Sequence, residues 1–288
     1  MKTTSLKCAA VLLLMTVSAA VHGQDRTGRA ADSTAFANAD WNWKDLGKGA
    51  VAGTAHIGMF GGDQTISIIK YPARKFRTTV EEKAGEICTT TDSLAAERHA
   101  TAAINGSYFN VQTLQPCTFF ALGHNEISRT ADWEFFRTNA MVAFRDRKGH
   151  KMEIVLCDTT RYDYYTRHYH AALASGPLLI SDGEIQKFAS EKKFSNARHP
   201  RTLIGKDSRG NFYFVVIDGR SAGNADGATL QECALIASWA GMDKALNLDG
   251  GGSSTAWTSE DGVINHPTDN HCFDHAGTRR VPNIIMMR

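Results

Sequence analysis

The stretch TLQECALIASWAGMDKALNLDGGGSST, Thr229 to Thr255, carries the pattern that decides the fold. Thr229 followed three residues later by Glu232 is a capping box: the hydroxyl accepts from a first-turn amide while the carboxylate reaches back to the cap's own amide. Leu230, Cys233, Ala234, Ala237 and Ala240 recur at helical spacing and give that helix one apolar face. Gly241 supplies the stop. Lys244 to Leu248 then reads as a short strand that delivers the chain into Asp249-Gly250-Gly251-Gly252. Helix, tight turn, strand and glycine loop together present that loop at the edge of a sheet.

Working outward, strand-like runs dominate the middle of the chain. Thr65 to Tyr71 has the β-branched content of a half-buried strand, and Pro72 ends it. Ala140 to Phe144 and Met152 to Leu156 flank the turn Arg147 to His150, as a hairpin does. Leu178 to Ile180 with Ile185, and Thr202 to Gly205 with Phe212 to Ile217, read as two more hairpins. Thr91 to Ala100 is a short helix leading into the apolar run Thr101 to Ile104. The expected fold class is α+β, a mixed, largely antiparallel sheet with flanking helices in a single domain.

The first residues stand apart. Lys2 and Lys7 precede the apolar run Cys8 to Ala20, and Val21-His22-Gly23 supplies small residues where a signal peptidase reads. Residues 1–23 are thus expected to be a secretory signal, 24–40 a polar flexible leader, and 41–288 the folded domain, with Trp41 and Trp43 opening it. The localisation expected is periplasmic or secreted, without a membrane anchor. Cleavage leaves 30 basic and 30 acidic residues, a balance that argues against nucleic-acid binding. It also leaves five cysteines, so at least one is unpaired, and Cys233 is expected as a core thiol.

Three glycines at a strand's end cost backbone order unless positive φ or close ligand approach needs them. Consecutive amides in such a loop form a concave anion site, and Ser253, Ser254 and Thr255 add hydroxyl donors. Asp249 contributes a carboxylate able to act as acid, base or metal ligand. Val216-Ile217-Asp218-Gly219-Arg220-Ser221 repeats the theme: Asp218 ends an apolar strand, and Arg220 offers a planar fork for phosphate or carboxylate. Asn105-Gly106-Ser107-Tyr108, Ser175-Gly176-Pro177 and His199-Pro200-Arg201-Thr202 are weaker signals taken singly. His168 and His170 alternate as on one strand face, and His266, His271, Cys272, Asp274 and His275 cluster late; a polar loop outweighs zinc for the second group. No Gly-Lys-Ser/Thr and no G-x-S-x-G is present, which removes the P-loop and serine-hydrolase readings.

In order along the chain, AINGSYFN, SGPLLISDGEI, HPRTLIGKDSRGNFYFVVIDGRS, TLQECALIASWAGMDKALNLDGGGSSTAW and VPNIIMMR resemble the phosphodiester glycosidase family over roughly Thr101 to Arg288. The resemblance implies hydrolysis of a sugar 1-phosphodiester, with a carbohydrate phosphodiester as the partner. Asp218 and Asp249 are then the candidates for acid, base or nucleophile. Arg201, Arg220 and the amides of Gly250, Gly251 and Gly252, with Ser253, Ser254 and Thr255, would hold the phosphate. Asn105, Gly106, Tyr108 and Asn247 would meet the sugar. No cofactor is required by the sequence, and a divalent cation at the aspartates stays open. Two other readings stay open beside this one: a non-catalytic polysaccharide-binding protein, and a metal-dependent phosphodiesterase cleaving the P–O bond.

Overall fold

The computed structural model describes residues 26–188 and 193–288. The expected signal segment therefore lies outside the described residues. An eight-stranded antiparallel sheet forms the middle layer, in the order Asn42–Gly47, Ala50–Met59, Gly62–Pro72, Asn211–Ile217, Arg201–Lys206, Lys244–Asn247, Leu178–Ser181 and Glu184–Ile185. Strict alternation along its strands gives it two apolar faces. Ile69, Tyr71, Phe212, Phe214, Val216, Ile204 and Leu246 point one way, into a core shared with two five-stranded sheets. Ile66, Ile68, Tyr213, Val215, Ile217, Leu203 and Ala245 point the other way, onto the helix Leu230–Trp239.

The first five-stranded sheet runs Met152–Leu156, Ala140–Phe144, Ala171–Ser175, Phe120–Leu122 and Asn125–Ser128; the second runs Gly262–Val263, Ala256–Thr258, Ala102–Asn105, Ile284–Met287 and Thr78–Glu81. The expected α+β class with largely antiparallel pairing is therefore what the chain adopts. All three expected hairpins are present, and the helix begins with Thr229 and Glu232 bonded reciprocally as a capping box. No helix among the described residues is long and apolar enough to cross a membrane.

Three expectations need correction. The segment read as a flexible leader holds an α-helix, Arg26–Ala37. Its polar composition concealed an anchor: Phe36 is buried, with ring centroids 5.4 Å from Trp41 and 5.9 Å from Trp239. Lys244–Asn247 is not an edge strand but lies between Arg201–Lys206 and Leu178–Ser181, so the glycine loop leaves the sheet at strand ends, inside its width. His168 ends the helix Tyr162–His168 and His170 follows it, so the two histidines share no strand face. The five cysteines described are all free, and Cys233 is fully buried in the helix face, where burial pushes its thiol up to about 12.

Candidate active site

The sheet order places the two aspartate loops side by side. Asn211–Ile217 and Lys244–Asn247 flank Arg201–Lys206 and both run antiparallel to it, so their C-terminal ends emerge together where the middle strand begins. That beginning is His199-Pro200. The Pro200 carbonyl accepts from the Gly251 amide at 2.8 Å, and His199 exchanges backbone hydrogen bonds with Ala228 at 3.0 and 3.3 Å. Glycine is required on both sides of this support: a Cβ on Gly219 would lie 2.9 Å from Pro200 N, and one on Gly250 would lie 2.6 Å from Pro200 O. The weak His-Pro-Arg-Thr signal is thus the scaffold between the two strong ones.

Asp249 enters the glycine loop with few partners. Its Oδ1 accepts from the Gly250 amide at 3.0 Å. The Ser253 hydroxyl lies beside the carboxyl but meets no ordinary hydrogen-bond geometry, and Ser253 Oγ and Ser254 Oγ are buried without a partner among the described residues. Burial pushes the Asp249 carboxyl up to about 6, against the opposing pull of Ser253, Arg137 and Arg279. The charge therefore changes near neutral pH, where a catalytic carboxyl is useful.

Guanidinium groups press on the same loop. Gly251 has φ +63, and a Cβ there would stand 2.9 Å from Arg220; on Gly252 it would stand 2.5 Å from Arg279 and 2.7 Å from Asp269. Arg279 is paired with Asp269, whereas Arg220 makes no hydrogen bond or ion pair among the described residues. Arg220 itself takes the left-handed conformation, φ +62, uncommon for a side-chain-bearing residue. Partial burial and then the charge of Arg279 push its pKa down, so its position disfavours more positive charge and would be relieved by an anion. Such surroundings suit a phosphate and oppose a divalent cation.

Asp218 is different. It is 1% exposed, and its Oδ1 accepts from Asn265 Nδ2 at 2.8 Å while Oδ2 accepts from the His266 amide at 3.0 Å and faces His266 Nδ1 at 3.0 Å. Asn265 also donates to the Ser254 carbonyl at 3.1 Å. The carboxylate thus ties the late His-rich loop to the glycine loop. With N–H donors on both oxygens it is not arranged as a cation ligand.

The remaining expected residues converge on the loop from behind. Asn105 Nδ2 donates to the Asp249 carbonyl at 2.8 Å, and its Oδ1 accepts from Thr202 Oγ1 and the Thr255 amide. The Gly106 carbonyl accepts from the Asp249 amide at 3.1 Å. Ser107 bonds the Ala174 carbonyl and faces the Thr118 hydroxyl at 2.6 Å. Tyr108 donates to the Gly176 carbonyl at 2.5 Å, and Asn247 Nδ2 donates to that same carbonyl and to the Tyr108 oxygen, each at 2.8 Å. Burial raises the Tyr108 pKa and keeps the phenol protonated. Thr255 is buried, its hydroxyl on the Ser253 carbonyl at 3.1 Å. Arg201 is 2% exposed, and its guanidinium donates to the carbonyls of Phe194, Ala197 and Ala228 at 2.9–3.0 Å, so it gathers loops around the site.

Sequence reading missed Arg137, Glu134, Asn265, Asp269 and Arg279, while His266, read there in the late polar cluster, turns out to be bonded to Asp218. Arg137 lies 3.9 Å over the Tyr108 ring and forks onto Glu134 through two 2.6 Å bonds. Burial works against its charge, but Glu134, Tyr108 and Asp249 together outweigh that and hold its pKa up. The available signal for Arg279 was its place in Thr278-Arg279-Arg280, just before the matching VPNIIMMR. Arg137 carried no local signal; only the fold brings it near Asp249.

A family model described as phosphodiester glycosidase matches residues 98–288. Over 229 residues the chain is 28% identical to N-acetylglucosamine-1-phosphodiester alpha-N-acetylglucosaminidase of Bos taurus, aligning 74% of this chain with 39% of that protein. The Homo sapiens protein of the same name is 35% identical over 109 residues, covering 36% of this chain and 20% of its own length. The chain thus spans about two fifths or less of these relatives. Among solved structures, the catalytic domain of the zebrafish protein of that name, auto-inhibited by its pro-peptide, superposes with TM-score 0.66 at 16% identity, covering 86% of this chain and 87% of that one. A hypothetical protein from Synechocystis gives 0.67 at 15% identity, covering 87% and 64%. At such identities the structures speak to the fold, and the family model speaks to kinship: the chain belongs to the phosphodiester glycosidase family.

Proposed function

We propose that the protein is an exported hydrolase that cleaves a sugar 1-phosphodiester between the anomeric carbon and the phosphate oxygen. The observation that carries this reading is the under-satisfied carboxyl of Asp249, which burial pushes up to about 6, at the entrance of a glycine loop overhung by Arg220, which makes no ion pair among the described residues. The phosphodiester lies against the amides and hydroxyls of Gly250 to Ser254, with Arg220 and Arg279 taking its negative charge. The anomeric C–O bond breaks, the phosphate departs as a monoester with the bridging oxygen, and water supplies the new hydroxyl on the sugar.

A phosphate monoester held by guanidinium groups is a good leaving group and needs little protonation, unlike an alkoxide. The step that needs help is attack at the anomeric carbon. Asp249 supplies it as a carboxylate, either bonding to that carbon itself or taking the proton from the attacking water. Asp218, Asn105, Gly106, Tyr108, Arg201, Asn247 and Thr255 act by holding the loop in place. The Bos taurus and Homo sapiens relatives carry N-acetylglucosamine in their names, which makes it the first sugar to test. The amino-terminal signal pattern supports a periplasmic or secreted site of action.

Hydrolysis of N-acetylglucosamine 1-(methyl phosphate) in 18O-labelled water tests the reading. Label in the sugar is the expected result. Label in the phosphate would transfer the chemistry to the P–O bond, and saturable binding without any product would leave a carbohydrate-binding protein.

A further inference from the structure

The two five-stranded sheets meet, at their ends remote from the glycine loop, in a patch of positive charge. Arg77 precedes Thr78–Glu81 and Arg288 follows Ile284–Met287, and the two exchange main-chain hydrogen bonds of 2.8 and 3.0 Å. The turn between Ala140–Phe144 and Met152–Leu156 reads Arg145-Asp146-Arg147-Lys148-Gly149-His150-Lys151, and it is pressed onto the residue after Arg77. Gly149 has φ +62, and a Cβ there would stand 1.7 Å from the Thr78 carbonyl oxygen. His124 and His170 adjoin this turn, their ring centroids 6.0 Å apart, and the His170 amide donates to the Phe144 carbonyl at 2.9 Å. The glycine loop lies at the other strand ends, where Ser175 leads into Gly176 and Asn105 reaches the Asp249 carbonyl.

The whole chain carries a formal net charge of only +2, so this excess is a segregation of charge to one pole. Arg77, Arg147, Lys148, Lys151 and Arg288 form no ion pair among the described residues, and Arg77 Nε is buried without a hydrogen-bond partner. Three acids stand nearby. Asp146 accepts from the Lys148 and Gly149 amides, Glu81 faces Arg98 at 3.5 Å, and Glu153 is paired with Arg145. A free carboxylate on Arg288 would still leave the balance positive. Burial and then the charge of Arg288 push the Arg77 pKa down, with Arg147 adding to this and Glu81 opposing it. Burial, then Arg147, His124 and Arg77, push that of His170 down against a weaker pull from Asp146. Like charges are crowded here without matching acids, an arrangement that an anion would relieve.

The extent of the patch separates a polymer from a single ion. Positive charge continues from Arg77 along the turn to Lys148 and Lys151, across strands about 4.8 Å apart. None of the exposed large apolar side chains belongs to these segments. The patch therefore lacks the Trp, Phe or Leu anchors of an interfacial membrane site and the stacking platform of a single-stranded nucleic-acid site. We infer that this pole binds a linear polyanion bearing a phosphate or carboxylate on each repeat unit, with one such group seated at Arg77 and its neighbours along the turn. A polymer held there leaves the glycine loop accessible at the opposite end, so its binding does not depend on the phosphodiester reading.

Calorimetric titration of the full chain with long-chain polyphosphate and with polygalacturonate tests this, beside inorganic phosphate and phosphatidylglycerol vesicles. Saturable binding of at least one polymer is expected, roughly tenfold or more tighter than that of inorganic phosphate. Arg147→Glu and Lys148→Glu, both at exposed turn positions, are each expected to weaken it roughly tenfold while keeping the parental circular dichroism. Their affinity should also fall less steeply with salt, because fewer counterions are released. Arg77→Gln is expected to weaken polymer binding too, whereas Arg220→Gln, at the other pole, is expected to bind as the parent does. Binding of neither polymer, or parental affinity in Arg147→Glu, Lys148→Glu and Arg77→Gln alike, would overturn the inference. So would a loss confined to Arg220→Gln, which would move the anion to the glycine loop. Inorganic phosphate binding as tightly as either polymer would replace the polyanion by a single ion, and binding of vesicles alone would replace it by a membrane surface.

Discussion

Asp218 and Asp249 occupy equivalent places in one sheet, each followed by glycine at the end of a strand flanking Arg201–Lys206, yet their surroundings are opposite. Asp218 has its oxygens filled by Asn265 and His266, while Asp249 accepts one backbone amide, and Arg220 and Arg279 press on the glycines that follow it. A carboxylate whose acceptor sites are already used can orient a loop but has little left to offer a reacting atom. An under-satisfied carboxyl with a raised pKa keeps both its lone pairs and its proton exchangeable near neutrality. A similar strand-end Asp-Gly context therefore leaves one carboxylate with both oxygens bonded and the other under-satisfied, and what separates them is the loop 265–275 that only tertiary folding delivers.

The contrast is most exposed to Asp249→Asn. This variant is expected to lose about 10³-fold or more in kcat while keeping its circular dichroism and its binding of a phosphate monoester. Asp218→Asn should show the reverse emphasis, a loss of stability of about 2 kcal/mol in denaturant unfolding and a smaller loss in kcat. Equal kcat losses with both proteins equally stable would make the two carboxylates chemical partners and dissolve the distinction. Arg220→Gln is expected to raise KM roughly tenfold with kcat less affected, because it removes a charge that binds phosphate before and during bond breaking. An unchanged KM would take the anion away from the glycine loop.

The smallest effect sharpens the contrast by pH. The folded-state pKa of Asp249 lies above its ordinary value of 3.8, at about 6. Its contribution to stability is thus full below about pH 4 and is lost as pH rises through about 6. Asp249→Asn, which cannot ionise, should then melt higher than the parent at pH 8, with most of the advantage gone at pH 4. The same titration gives kcat/KM an acid limb near pH 6 in the parent, since the carboxylate is the active form. A melting advantage that persists at pH 4 would assign the gain to something other than the charge.

The local parts of this fold were legible in the sequence. The capping box of Thr229 and Glu232, the glycine stop and the three hairpins are set by neighbours in the chain, and each formed where its residues stand. Long-range pairing was not legible. Gly62–Pro72 lies beside Asn211–Ile217, with Pro72 opposite Asn211 and Ile66 opposite Ile217, and no local pattern states so distant a neighbour. The same limit governed the site. Asp249, the glycines and Arg220 announce themselves by clustering in sequence, whereas Arg137 and Asn265 carry no such signal until the sheets bring them in, and the cluster around His266 does not state that Asp218 is its partner. Arg201 was read as an anion ligand because an arginine opening a strand resembles one; its burial and three carbonyl partners make it a loop anchor instead. Phe36 was lost in a polar segment because one buried ring, helped by the half-buried Ala35 and by Asp32 accepting from the Phe60 amide, is enough to dock the helix.

His199-Pro200, described above as the scaffold between the loops, has a dynamic consequence. It meets one loop through the paired bonds to Ala228 and the other through the Pro200 carbonyl on Gly251, with Gly219 and Gly250 leaving no clearance on either flank. The two aspartate loops consequently share one fulcrum. Local opening of either must disturb the dipeptide that the other leans on, so they belong to a single cooperative unit and exchange their amide hydrogens in concert. The two carboxylates differ in their partners, but the loops that carry them are expected to loosen together.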